Sequence, residues 1–176
     1  MDIVSGVVSI EYSHFYVHEA IENESERDDR TPDFRTDEPV IVTPGQLTVV
    51  SCVQSHDAWV SLMLTEVEPG QQPEQWQLLG TWPYLPISGG RMSMSGPTTG
   101  PATPAMDWLP GPTGYTPDLQ LDPATTYTVH VYARGRHDSR ARYEAAMARE
   151  QWGLHEGFED YVLAFIPSDA RRPDGR

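Results

Sequence analysis

Lysine is absent from this chain of 176 residues, and all twelve of its basic residues are arginine. A phosphate-binding P-loop, a Schiff base and a Ser–Lys nucleophile pair all require lysine, so the composition excludes these three chemistries. The absence of lysine is also typical of GC-rich coding. It favours a bacterial origin, such as an actinobacterium or one of its phages.

Cysteine is nearly absent as well, since Cys52 is the only one and has no partner for an internal disulfide. The start of the chain lacks a basic region followed by a long apolar run, and no stretch approaches the roughly eighteen apolar residues of a membrane span. We therefore expect a cytoplasmic protein. Cys52 lies in an apolar run, which favours a buried, inert thiol over a nucleophile.

Positive charge is scarce, because 12 basic residues face 26 acidic ones and give a formal net charge of −14. Neutralising phosphates takes clustered cations, so direct binding of nucleic acid or of an anionic membrane is not expected. A basic protein partner is compatible with this charge. A negative surface that serves only solubility explains it equally well.

Turn-forming and aromatic residues are plentiful, with 16 Pro, 14 Gly and 8 Tyr, a composition typical of short strands joined by turns. Strands are predicted at residues 3–11, 12–19, 47–53, 58–68, 74–87, 126–134 and 158–167, and one helix at 138–151 with Gly153 as its stop. A Pro-Gly turn at 44–45 is predicted before the third of these strands. Residues 3–19 could also form one long bent strand. These elements predict a mainly β fold, an antiparallel β-sandwich of about 6–8 strands with one α-helix near the C-terminus. We expect a single domain over 1–167 and a flexible tail over 168–176.

Residues 86–117 are rich in proline and glycine and read as an insertion without regular structure, except for a short stretch at 91–95. The insertion carries apolar residues that could cover one end of the sandwich or contact another subunit. They are Met92, Met94, Met106, Trp108, Leu109 and Tyr115. Subunit contacts would indicate a structural or assembly protein, such as a phage component. Carbohydrate binding on Trp82, Trp108 and Tyr115 is a third possibility.

No motif for catalysis or metal binding is complete. His14 and His18 share one face of a strand but lie about 13 Å apart, too far to bind one ion. The stretch at 155–159 lacks the second histidine of a zinc-binding H-E-x-x-H helix. We therefore predict no catalytic, cofactor-binding or metal-binding residues and no cofactor.

The densest negative charge directly follows an early strand, where residues 19–38 hold nine acids and three arginines. Such a segment fits a basic protein surface, because complementary charge speeds association and fixes register. The predicted partner-binding residues are Glu22, Glu24, Glu26, Asp28, Asp29, Asp33, Asp37 and Glu38. Two other interpretations stay open. The segment could be a solvated loop, or it could pair with the protein's own arginines at Arg134, Arg136, Arg140 and Arg142.

Three stretches carry a resemblance to a known family: "VVSIEYSHFYVHEA" near the start, and "TYTVHVYAR" and "EDYVLAFIP" near the end. Their strand pattern resembles the bacterial family of competence-associated DNA-entry nuclease inhibitors. It is also similar to that of uncharacterised actinobacterial proteins of comparable layout. The resemblance implies a β-sandwich-like inhibitor or immunity protein that binds and blocks a nuclease inside the cell. It carries over no inhibitory residue.

Overall fold

The computed structural model describes residues 1–20, 31–67, 75–104, 117–151 and 157–168. Within these ranges the chain forms twelve strands and one helix. The strands are β1 (Asp2–Ile10), β2 (His14–Glu19), β3 (Val40–Thr43), β4 (Gln46–Val50), β5 (His56–Leu64), β6 (Trp76–Tyr84), β7 (Arg91–Gly96), β8 (Gly100–Pro101), β9 (Thr103–Pro104), β10 (Asp118–Gln120), β11 (Tyr127–Arg134) and β12 (Asp160–Pro167). The helix is α1 (Ser139–Ala148), between β11 and β12. The mainly β fold class is confirmed, with more strands than the six to eight expected.

The strands form two sheets. The first sheet has the order β6-β11-β12-β5-β1-β9, and the second has the order β10-β7-β2-β4-β3, with β8 paired to β7. Neighbours in both sheets are antiparallel, except that β12 runs parallel to β5. Strand β6 is an edge strand, as its proline at position 83 indicates.

The core lies between the two sheets and follows the alternation of apolar residues along each strand. Phe15 and Val17 of β2 and Val129 and Val131 of β11 are all fully buried. Each such side chain stabilises the fold by roughly 1.5–3 kcal/mol through the apolar area it removes from water. The alternation is therefore the main sequence signal for this architecture.

Two tight turns shape the first part of the chain. Tyr12 and Ser13 both have positive φ, 53° and 62°, which is the backbone of a two-residue reversal. Residues 3–19 consequently form two strands, β1 in the first sheet and β2 in the second. Gly45 has φ 67° after Pro44, so the predicted Pro-Gly turn closes the hairpin of β3 and β4.

Three expectations were wrong. Strand β4 ends at Val50, three residues before the expected end. The helix ends at Ala148, ahead of the expected stop, and Glu150 already has φ 57°. The insertion also holds β8 and β9, two short strands that were not expected, whereas the exception made for residues 91–95 is confirmed by β7, in which alternating Met92 and Met94 are fully buried.

Trp108, Tyr115 and the other apolar residues of 105–116 lie outside the described residues. In the described part of the chain, no helix has the length and apolar character needed to cross a membrane.

Candidate functional site

The acidic segment connects opposite ends of the second sheet. Strands β2 and β3 both pair antiparallel with β4, so they are parallel to each other. At one end the Ala20 N–H donates to the Arg91 carbonyl at 2.8 Å, just after β2 ends. At the other end the Val50 N–H donates to the Pro39 carbonyl at 2.9 Å, beside the start of β2. Ala20 and Pro39, which flank most of the acidic segment, therefore lie at opposite ends of the second sheet.

Three of the predicted partner-binding acids are described, and all three are exposed: Asp33, Asp37 and Glu38. Asp33 forms a bidentate pair with Arg35, in which Nε and Nη2 each lie 2.8 Å from a carboxylate oxygen. These hydrogen bonds lower the pKa of the Asp33 carboxyl. The charge of Asp33 is thus largely compensated. No described cation pairs with Asp37 or Glu38, so their charges are available to a partner.

An aromatic contact holds this part of the segment against the second sheet. The Phe34 ring lies 4.8 Å from the His14 ring, centroid to centroid. His14 is in turn fixed by Tyr16, whose hydroxyl lies 3.0 Å from its Nε2. The exposed acids are therefore presented beside a defined surface of the sheet.

The other five predicted partner-binding residues lie outside the described residues: Glu22, Glu24, Glu26, Asp28 and Asp29. Their role stays a prediction.

Glu19, the first acid of the segment, is a core residue. Its side chain is 0% exposed, and its carboxylate accepts hydrogen bonds from the backbone N–H groups of Ile87, Ser88 and Gly90 at 2.8, 2.8 and 2.6 Å. Three backbone donors can balance a buried carboxylate, and here they also fix the 87–90 turn. Glu19 therefore belongs to the fold and not to an acidic surface.

The arginines near the helix have partners of their own. Arg134 pairs with Asp160 at 2.7 Å, Arg140 with Glu144 at 3.3 Å and Arg142 with Asp138 at 2.9 Å. Arg142 also donates to three carbonyls, those of Gly135, Gly157 and Phe158. The described contacts of these arginines are thus local and do not include the acidic segment.

The fourth arginine leads into a buried polar network centred on Glu159. The Glu159 side chain is 1% exposed, and its carboxylate lies 3.6 Å from the Nη1 of this arginine, Arg136. It accepts hydrogen bonds from Ser51 at 2.9 Å, Ser139 at 2.6 Å and the Tyr161 hydroxyl. The backbone N–H of Cys52 donates to the same group at 3.1 Å. The network joins the end of β4, the start of α1 and the start of β12.

This network contains a serine and a histidine in contact, an arrangement also found in hydrolase active sites. The Ser51 Oγ lies 3.2 Å from the His56 Nε2. However, Ser51 donates its single hydroxyl proton to Glu159, so His56 is not placed to accept it. Both side chains are also buried away from any substrate. The geometry makes this network a structural anchor for the helix.

Burial sets the protonation states within the network. It lowers the pKa of His56, which keeps the imidazole neutral, and nearby Glu159 opposes this only in part. Burial also raises the pKa of Tyr161 well above its ordinary value, so the phenol keeps the proton that it donates to Glu159. Sequence reasoning missed this network because its partners lie up to 108 positions apart.

Cys52 lies outside β4 and is exposed, contrary to the expectation of a thiol buried in a strand. Partial burial still raises its pKa, and Arg136 opposes this less strongly. The thiol is therefore protonated near neutral pH and a poor nucleophile. Within the described ranges, no group of three or more His, Cys, Asp or Glu side chains is arranged to hold a metal ion.

The fold and these sites together define a two-sheet β-sandwich with buried carboxylate anchors and exposed acids. Two solved structures share this fold. The chain matches the structure of ComJ from Bacillus subtilis, described as an inhibitor of the DNA-degrading activity of NucA, with a TM-score of 0.52, 10% identity and 96% of each chain covered. It also matches the product of crocagin biosynthetic gene J, with a TM-score of 0.51, 11% identity and coverage of 95% and 97%.

The predicted resemblance to nuclease inhibitors is thus confirmed at the level of fold. No protein-family profile matches the chain, and no curated protein matches its sequence.

Proposed function

We propose that this chain is a non-enzymatic, inhibitor- or immunity-type protein that binds a basic protein, such as a nuclease or toxin, inside the cell that makes it. The observation that carries the proposal is the fold shared with ComJ over 96% of both chains. ComJ is an inhibitor of a nuclease, and at 10% identity this likeness extends to the fold alone. The partner of the present chain is therefore argued from its own charge.

The net charge of −14 suits a partner of this class. A nuclease binds a polyanion and presents clustered cations along its substrate channel. An acidic protein complements such a channel, speeds encounter and competes with the nucleic acid. On this proposal the acids of residues 22–38 contact the basic channel, and they include Asp37 and Glu38, which are exposed and have no cation partner among the described residues.

The proposal is tested by capture followed by an activity assay. Tagged protein is used to capture partners from host lysate at low and at moderate salt, and each captured protein is purified and assayed for nucleic-acid cleavage or toxicity. We expect a stoichiometric basic partner that salt releases and that the chain inhibits. Recovery of the chain alone, or of partners whose activity it leaves unchanged, would contradict the proposal.

Matched variants separate the acidic segment from general charge. Asp37→Asn with Glu38→Gln removes two charges from the segment, and Glu144→Gln with Glu150→Gln removes two exposed charges from the helix region. The first variant should weaken the complex at low salt, and the second should not. A five-fold neutralised variant of Glu22, Glu24, Glu26, Asp28 and Asp29 should weaken it further. Unchanged affinity in that variant would refute the acidic segment as the binding surface.

A further inference from the structure

A groove lies at the end of the first sheet where β1 begins and β5 ends. Its volume is about 590 Å³, within the range of cavities that hold small ligands or single side chains. Asp2 pairs with Leu64 along one wall, and Tyr127 pairs with Pro167 along the other. The ends of four strands therefore form its floor.

The lining combines apolar surface with carboxylates. Leu64, Tyr127 and Pro167 contribute apolar surface, and Val67, which is 72% exposed, stands at the rim. Met1, which is 85% exposed, belongs to the same lining, so the rim presents two exposed apolar side chains.

Three acids surround this apolar floor: Asp2, Glu66 and Asp122. Asp122 is held in place by the N–H of Ala124 at 2.8 Å and the hydroxyl of Thr125 at 3.1 Å. In the described part of the chain these three acids form no ion pair, whereas the other acids near arginine residues do. Met1, whose N-terminal ammonium carries one positive charge, also lines the groove, so the three acids leave the lining with a net negative charge.

The groove also adjoins the start of the acidic segment. Ala20 bonds to the Arg91 carbonyl, and Leu121 bonds to the neighbouring Gly90 carbonyl, immediately before Asp122. The groove acids and the beginning of the segment thus lie at the same end of the molecule. One partner surface can reach both.

We propose that the groove receives an arginine or lysine side chain of a basic protein partner. Such side chains lay an apolar stem along a hydrophobic surface and keep a charged head among polar groups. Leu64 and the exposed Pro167 would contact the stem, and Asp2 and Glu66 would bind the head through charge-assisted hydrogen bonds. This inference rests on the proposed function, because it takes the partner to be a basic protein, and it adds a second contact region.

The direct test is an NMR titration of the full chain with a capped Leu-Arg-Leu-Arg peptide. Its matched control is the same peptide with citrulline, which is nearly isosteric and uncharged, in place of each arginine. We expect amide shifts at residues 2, 64–67, 122 and 124–127 with the arginine peptide and none with the citrulline peptide.

Charge variants decide whether binding is specific to the groove. Asp2→Asn with Glu66→Gln should weaken peptide binding about tenfold, the effect of losing charge-assisted contacts to one head group. Glu144→Gln with Glu150→Gln removes the same charge from the helix region, outside both proposed contact surfaces, and should change peptide binding less than about twofold. Equal weakening by both, or shifts spread over the acidic surface, would overturn the proposal. All four positions are exposed, and the amide spectrum checks that each variant is folded.

A chain that ends at Ser168 tests the competing occupant, the protein's own C-terminal residues 169–176, which include three arginines. If truncation shifts the groove amides and tightens peptide binding, the groove is filled from within and the partner proposal is wrong. If neither changes, the partner proposal stands.

The two proposals fail separately. If the Asp2→Asn, Glu66→Gln variant inhibits the captured partner as strongly as the unmodified chain does, the groove proposal is wrong. The inhibitor function would still stand. If the peptide binds in the groove but no captured partner is inhibited, the inhibitor function is wrong and the groove remains a site for a basic side chain.

Discussion

Two pairs of carboxylates in the described part of the chain look alike in sequence and differ in burial. Glu19 and Glu159 are buried at opposite ends of β2 and accept hydrogen bonds from backbone and hydroxyl donors. Asp37 and Glu38 are exposed and have no described cation partner. A count of acids therefore does not locate a binding surface, because some acids in an acidic chain hold the fold together.

The physical difference lies in the donors. Removing a carboxylate from water costs several kcal/mol unless hydrogen bonds or a cation replace the lost hydration. Glu159 recovers this through four donors and Arg136, and Glu19 through three N–H groups of one turn. The exposed acids remain hydrated and keep their charge available for a partner.

Substituting Glu159 with alanine should have the largest effect on stability. The change leaves the guanidinium of Arg136 and the hydroxyls of Ser51 and Ser139 without their acceptor. A buried ion pair that loses one member costs roughly 3–5 kcal/mol. Urea denaturation should report a decrease of this size in the free energy of unfolding.

Two controls sharpen this prediction. Glu159→Gln keeps an acceptor oxygen and should cost less than alanine. Glu144→Ala removes an exposed acid that pairs with Arg140, and should cost about 0.5 kcal/mol or less. If Glu159→Ala and Glu144→Ala are equally stable, the contrast between buried and exposed acids is mistaken.

Glu19→Ala should have the second-largest effect on the free energy of unfolding. Three backbone N–H groups lose their acceptor, but water can reach the exposed side of the 87–90 turn and satisfy part of the loss. We expect a cost of roughly 2–3 kcal/mol. Hydrogen exchange should show that the amides of Ser88 and Gly90 lose protection first, and unchanged exchange at these amides would contradict the assignment.

Much of the fold could be predicted from local sequence pattern, but the buried contacts of the acidic residues could not. The alternation of Tyr127, Val129 and Val131 predicted β11, and Pro44-Gly45 predicted a turn, because both signals are contained in a few adjacent residues. Strand β7 falls on the stretch 91–95 that was excepted from the Pro/Gly-rich insertion, whereas β8 and β9, at two residues each, are too short to leave a pattern. Glu19 and Glu22 look alike in sequence, because the donors that bury Glu19 lie 68 to 71 positions further along the chain.

The neutral state of His56 makes stability depend on pH. Burial lowers its pKa in the folded protein, so the unfolded chain binds a proton first as pH falls. Stability is complete above the ordinary pKa of about 6.5 and decreases as pH falls from there through the folded pKa, by at most about 1.4 kcal/mol per pH unit. Denaturation at pH 7 and pH 5 measures this decrease. His56→Gln should flatten the dependence, and an equal slope in that variant would show that other groups cause it.

Asp37→Asn with Glu38→Gln should have the smallest effect on stability, within about 0.5 kcal/mol, because neither side chain is buried or ion-paired in the described structure. The same variant should weaken the partner complex and reduce its dependence on salt, since fewer charges take part in the encounter. Substituting the buried acids should therefore mainly lower stability, and substituting Asp37 and Glu38 should mainly weaken binding. If this variant binds the partner normally but unfolds more easily, Asp37 and Glu38 stabilise the fold as Glu19 and Glu159 do. The partner would then be expected to bind at the groove beside Asp2 and Glu66.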